Sequence, residues 1–93
     1  MIEYAHEAAE DVDRHHEWLL AHSARAAEAF MAQVALAEAR VLARPTAFRF
    51  CNDGEARRVT FRLRRITYHL DYQIEPKRIV VLRVWHGRQD RPG

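Results

Sequence analysis

The sequence is short of the residues from which many small catalytic sites are built. Its 93 residues include one cysteine (Cys51), one serine (Ser23), one lysine (Lys77), three glycines and three prolines. A single cysteine excludes an internal disulfide and fits a reducing compartment, so a cytoplasmic location is expected. A lone serine outside any Gly-X-Ser-X-Gly turn sets aside serine-type nucleophilic catalysis. The glycines, at 54, 87 and 93, are too scattered to form a phosphate-cradling loop. No purely apolar run exceeds four residues, as in Val34 to Ala37, against the roughly 20 needed to span a bilayer. Nor does the chain open on a basic stretch followed by an apolar one, so no secretion signal is expected.

Metal chemistry is poorly provided for as well. His16-Glu17 begins like a zinc-binding helix motif, but Leu20 stands where the second histidine is required. His15 and His22 are seven residues apart with no cluster of Cys or Asp beside them, so neither a metal nor another cofactor is expected. Cys51 follows Phe50 in a predicted loop and reads as a core or incidental thiol.

Hydrophobic residues make up 48% of the chain and charged residues 30%, a composition that predicts one globular domain over residues 1–93 with a modest core. The net charge of +2 conceals an asymmetry. Residues 1–43 carry eight carboxylates and three arginines, net −5. Residues 44–93 carry twelve bases and five acids, net +7. Fourteen of the fifteen bases are arginine, whose planar fork suits carboxylates and phosphates, so an anionic partner is one reading and simple solubility the other.

The acidic half has helical periodicity. Ala8, Val12, His15 and Leu19 recur at three- and four-residue steps, which predicts a helix over about residues 7–21. Ser23 is a suitable N-cap for a second helix, whose stripe of Phe30, Val34, Ala37 and Val41 ends before Pro45. The basic half changes to period two. Val59, Phe61 and Leu63 alternate with arginines and threonine, Ile66 to Ile74 forms a longer alternation, and Ile79 to Trp85 reads as a more buried strand. Short connections predict an antiparallel meander, and Ile2 to Ala5 a short edge strand. The fold class expected is therefore α+β: a helical hairpin packed on a small antiparallel sheet.

Alternation assigns two faces to that sheet. Val59, Phe61, Leu63, Ile66, Leu70, Ile74, Val80, Leu82 and Val84 should face the helices. Arg58, Thr60, Arg62, Thr67, His69, Gln73, Arg83 and Trp85 should form an open face that is either a binding surface or merely solvated. The remaining chemistry lies in Arg62, His69, Arg83, His86 and Arg88, residue types able to bind phosphates, to pair with acidic side chains, or to supply the acid, base and cations of RNA cleavage.

The order short strand, helix, helix, three-stranded meander resembles the RelE/ParE toxin superfamily over nearly the whole chain. The specific parts are Tyr68-His69-Leu70-Asp71-Tyr72 and the ending Val84-Trp85-His86-Gly87-Arg88-Gln89-Asp90. The resemblance implies the toxin of a type II toxin–antitoxin module, neutralised by a cognate antitoxin and meeting operator DNA only through it, with no membrane partner. RelE-like members, which cut mRNA on the ribosome, carry an arginine where this chain has His69. They also carry two lysines on the preceding strand, where Arg62 matches one and Thr60 departs from the other. Aligned on Gly87, Gln89 occupies the place of a further arginine, with Arg88 adjacent, and no tyrosine follows before Gly93. The ending is closer to ParE-like members, which inhibit DNA gyrase by binding. A ParE-like toxin without turnover of its own is thus expected, with Arg62, His69, Arg83, Trp85, His86 and Arg88 as its functional face. The alternatives are an mRNA endonuclease using the same cations with His69 and His86, and an inactive toxin-like binding module.

Overall fold

A computed structural model describes residues 1–51 and 54–87. Along the chain run β1 (Ile2–Tyr4), α1 (His6–His22), α2 (Ala24–Ala43), β2 (Arg57–Leu63), β3 (Ile66–Ile74) and β4 (Ile79–His86). Both helices lie within about a residue of their expected bounds. Ser23 separates them and serves each: its N–H donates to the Leu19 carbonyl, closing α1, and its hydroxyl accepts from the Ala26 N–H at 3.2 Å, opening α2.

The sheet order is β1-β4-β3-β2. The last three strands form the expected antiparallel meander, while β1 joins β4 in parallel, so the four-stranded sheet is mixed rather than wholly antiparallel. One face packs beneath the helices. Phe30 of α2 meets Tyr68 at 5.1 Å and Phe61 at 6.2 Å, and Phe61 stacks on Tyr68 at 5.3 Å. Tyr68 and Tyr72, which alternate in phase with Ile66, Leu70 and Ile74, are buried on this face as well. The Tyr72 hydroxyl explains its tolerance of burial, because it donates to the Pro45 carbonyl at 2.6 Å. Ile74, expected inside, is 42% exposed at the end of β3.

In β4 the alternation slips. Asp71 pairs with Arg83, but the next residue, Tyr72, pairs with Val81, leaving Leu82 as the extra residue of a β-bulge. The bulge reverses the phase of the strand. Ile79 and Val81 join the core before it and Val84 after it, whereas Val80 and Leu82, expected in the core, do not belong to that cluster. A bulge leaves no mark in a run as uniformly apolar as Ile79-Val80-Val81-Leu82.

The same strand explains His15. Since β1 covers β4 only through Val81, the backbone beyond it needs other partners. Helix α1 supplies them. The Asp11 carboxylate accepts from the Val84 N–H at 2.9 Å, and His15 Nε2–H donates to the Val84 carbonyl at 3.1 Å. Two helix side chains one turn apart thus act as the missing neighbouring strand. Asp11 is 1% exposed. Burial alone would raise its carboxyl, but hydrogen bonds from Arg83, Val84 and Arg14 outweigh that and hold it below the ordinary value of 3.8.

Candidate target-binding face

The face of the sheet turned away from the helices carries a connected cluster on all three meander strands. Arg58 on β2 grips Asp71 on β3 through Nε at 2.7 Å and a second guanidinium nitrogen at 3.1 Å. Trp85 Nε1–H on β4 donates to the same carboxylate at 3.0 Å, and the Arg58 guanidinium lies 4.7 Å from the centre of the Trp85 ring. His69 packs against Trp85 with ring centres 4.5 Å apart, and its Nδ1 is 3.2 Å from the Thr60 hydroxyl. These contacts follow from register, because Arg58 stands opposite Asp71, Thr60 opposite His69, and His69 opposite Trp85. Burial, with repulsion from Arg58 in support, lowers the His69 pKa below 6.5, so its imidazole is neutral at pH 7.

The six residues expected to share one face are therefore divided. His69 and Trp85 are together on the open side. Arg62 is exposed near the β2–β3 hairpin, two residues along from Thr60. Arg83 stands opposite Asp71 in phase with Trp85, but its guanidinium turns to α1, donating to Asp11 at 2.8 and 3.1 Å. His86 stands opposite Tyr68 and lies on the helix side, with ring centres 5.6 Å from Tyr68 and 5.4 Å from His15. It consequently faces away from His69, and the two do not form an acid/base pair across one surface. Arg88, Gln89 and Asp90 lie outside the described residues.

The face is also less basic than alternation suggested. Asp71 engages Arg58 and Asp11 engages Arg83, leaving a flat polar-aromatic patch with Arg62 at its margin. Such a surface can present hydrogen bonds, a partly shielded cation and aromatic edges to a macromolecule. Asp71 and Asp11 were not among the candidate residues, although Asp71 could have been noticed as the acid opposite Arg58 in a two-residue hairpin register. Among the described residues, His, Cys, Asp and Glu do not gather in groups of three or more able to hold a metal ion. Among the same residues, no helix is long and apolar enough to cross a membrane.

With this arrangement in place, the decisive comparison is with protein families. Residues 2–91 match the family model of the ParE toxin of the type II toxin–antitoxin system parDE. The chain belongs to the ParE toxin family. Its architecture is similar to that of a solved chain described as the chromosomal ParDE TA system from P. aeruginosa, with a TM-score of 0.69 and 19% identity over 91% of this chain and 92% of that one. At that identity the similarity concerns the fold. No curated protein matches the chain. Family membership agrees with the resemblance read from Tyr68 to Tyr72 and from the end of β4, and it favours the ParE branch of the superfamily.

Proposed function

We propose that this ParE-family chain is the toxin of a toxin–antitoxin pair, that it acts in the cytoplasm by binding DNA gyrase, and that a cognate antitoxin neutralises it. Operator DNA is met only through that antitoxin. The observation that carries the reading is the ParE family match over residues 2–91. The placement of the histidines supports binding over cleavage: His69 packs on Trp85 on the open face and His86 on Tyr68 on the other, so neither can hand a proton to a substrate held by its counterpart. Arg62, His69 and Trp85 are the described residues assigned to the target.

Purified toxin in a gyrase supercoiling assay is the direct test. Inhibition that weakens at least tenfold in His69→Ala or Trp85→Ala supports the proposal. Undisturbed supercoiling, both in the assay and in cells arrested by the toxin, overturns the gyrase target. Ribosome toeprinting in the same experiment would reveal an mRNA endonuclease by cuts at the A site. Unchanged growth on expression of folded protein would instead mark an inactive module.

A further inference from the structure

Residues 46–51, which follow α2, are tied down by the strand they lead into. Arg57 of β2 donates to the Thr46 and Phe48 carbonyls at 3.1 and 2.9 Å, and its guanidinium lies 4.0 Å from the centre of the Phe50 ring. The backbone adds to this, since the Arg58 N–H donates to the Arg49 carbonyl at 2.8 Å and the Cys51 N–H to the Ala56 carbonyl at 2.6 Å. These bonds fix the segment as a wall beside the start of β2. Between that wall, β2 and the end of α2 lies an open cavity of about 480 Å³, in the size range of small-molecule sites. Its lining includes Arg40, Arg49 and Arg58, the rings of Phe48 and Phe50, and Thr60, and it has no carboxylate among the described residues.

Two of these arginines are held in position. Arg40 donates to the Thr60 carbonyl at 3.0 Å and lies 5.3 Å from the centre of the Phe48 ring, and Arg58 is gripped by Asp71, which also cancels its charge. Arg40 and Arg49 have no acidic partner among the described residues, so two uncompensated cations border the cavity. A phosphate monoester carries about −1.5 to −2 at pH 7 and matches that pair, whereas a carboxylate leaves one cation unmatched. Guanidinium forks also suit phosphate oxygens geometrically. The remaining lining is aromatic. Phe50 is 54% exposed and takes no part in the core, yet Arg57 holds it in place. A ring already fixed in this way offers a stacking surface at little further entropic cost. We infer that the cavity binds a nucleoside monophosphate, with the phosphate between Arg40 and Arg49 and the base against Phe48 and Phe50. Aromatic faces accept any base, so discrimination among bases should stay below about fivefold. The site does not depend on the toxin reading, although it borders the face assigned to the target, where Thr60 meets His69 at 3.2 Å.

The test titrates the isotope-labelled full chain with AMP and follows it by NMR. Backbone signals of Phe48 to Cys51 and of Thr60, with the Arg40 and Arg49 Nε–H signals, should move together and saturate with a Kd below about 1 mM. Adenosine and inorganic phosphate should each bind at least tenfold more weakly. Arg49→Ala and Phe50→Ala should each weaken AMP at least fivefold. Both side chains are exposed, so neither substitution opens the core. Arg25→Ala, at the other end of α2, should leave binding unchanged. Cys51, the single thiol of the chain, also lines the cavity, and saturating AMP should slow its alkylation by N-ethylmaleimide at least threefold. Shifts confined to other residues, or no saturation by about 10 mM, overturn the site. Inorganic phosphate binding as tightly as AMP overturns the nucleotide and leaves a simple anion site. Phenyl phosphate matching AMP overturns it in favour of a phosphorylated ring on a protein. An oligoadenylate more than tenfold tighter than AMP overturns the free ligand, because the nucleotide is then read within a strand. All of these are binding measurements on the purified chain, so their outcome is separate from that of the gyrase assay.

Discussion

The sheet has one edge closed by buried ionic and imidazole groups and another guarded mainly by exposed arginines, and the two obey different energetics. At β4, Asp11, His15 and Arg83 are organised around the backbone of Val84; both bonds to Val84 are buried, and the Arg83 guanidinium is 31% exposed. Removing one partner leaves others desolvated and unpaired, so the closed edge should be intolerant of substitution. At β2, water can replace whatever is removed. A strand edge open to solvent costs little in the free protein and retains its capacity to bind, whereas a satisfied edge contributes stability and is no longer available.

The largest effect should come from the centre of the closed edge. Asp11→Ala leaves the Val84 N–H without its acceptor and Arg83 without its bidentate partner. The buried Val84 N–H left without an acceptor costs about 1–3 kcal/mol, the partly screened pair with Arg83 adds about 1 kcal/mol, and urea denaturation should register a loss of about 2–4 kcal/mol. A loss of under about 1 kcal/mol, the range of exposed ion pairs, would mean that this edge is no more demanding than the other.

Next in size is His15→Phe, which preserves ring packing against Phe30 and Tyr68 but strands the Val84 carbonyl. An unsatisfied buried acceptor costs about 1–3 kcal/mol. The variant also tests the pH behaviour of the edge. Burial lowers the His15 pKa from its ordinary 6.5, the bond to Val84 opposes that, and neighbouring His86 and Arg14 reinforce it. The unfolded chain therefore binds a proton at a pH where the folded chain does not. Stability is undiminished above 6.5 and falls as the pH drops from there toward the folded value. Asp11 adds a second decline beginning near 3.8, as its depressed carboxylate is protonated first in the unfolded state. His15→Phe should reduce the upper step to the part contributed by His69, whose pKa is also lowered, and leave the lower one, as read from denaturation midpoints between pH 7 and 3.

Sequence pattern made one half of this arrangement legible and hid the other. The helices could be read because Ala8 and Leu19, with Val12 half-buried between them, and then Phe30, Val34, Ala37 and Val41, keep helical spacing toward the core, and Ser23 carries a capping hydroxyl. The meander could be read from the alternation at Val59, Phe61 and Leu63. His15 was equally visible as a letter but not as a function, because its partner is a backbone carbonyl 69 residues away, which any residue type could have supplied. Val80 and Leu82 were misplaced because a period of two set by Val84 does not carry back through the Leu82 bulge. Arg83 keeps its register opposite Asp71, but its partner Asp11 lies on a helix 72 residues away, which no strand pattern discloses. Of the open face, the pairing of His69 with Trp85 could not be read from hairpin length, because the register of Ile74 with Ile79 carried on unbroken sets His69 opposite Val84, and the bulge at Leu82 shifts it by one. The role of Asp71 in neutralising Arg58 requires knowing the β2–β3 register first.

A smaller effect is expected at the polar cluster between the two edges. Arg58→Ala removes the bidentate contact to Asp71 and the cation beside Trp85, but Arg58 is 24% exposed and Asp71 15%, so solvent screens part of what is lost. A cost of about 1 kcal/mol is expected by urea denaturation. Because Trp85 Nε1–H still donates to Asp71, its fluorescence should shift only slightly; a large red shift would mean that Arg58 alone holds the indole in place.

The smallest effect belongs to the hairpin at the end of the open edge. Leu63 and Ile66 pair directly, so Arg64-Arg65 is a two-residue loop, and Arg64 adopts φ +57°. A positive φ in a two-residue hairpin loop is a conformation that glycine or asparagine normally takes. An L side chain there costs about 1–2 kcal/mol. Arg64→Gly relieves that strain but gives the unfolded chain more freedom, worth about 0.4–1 kcal/mol in the opposite direction. The balance is a net stabilisation of about 0.5 kcal/mol, resolvable in paired urea titrations.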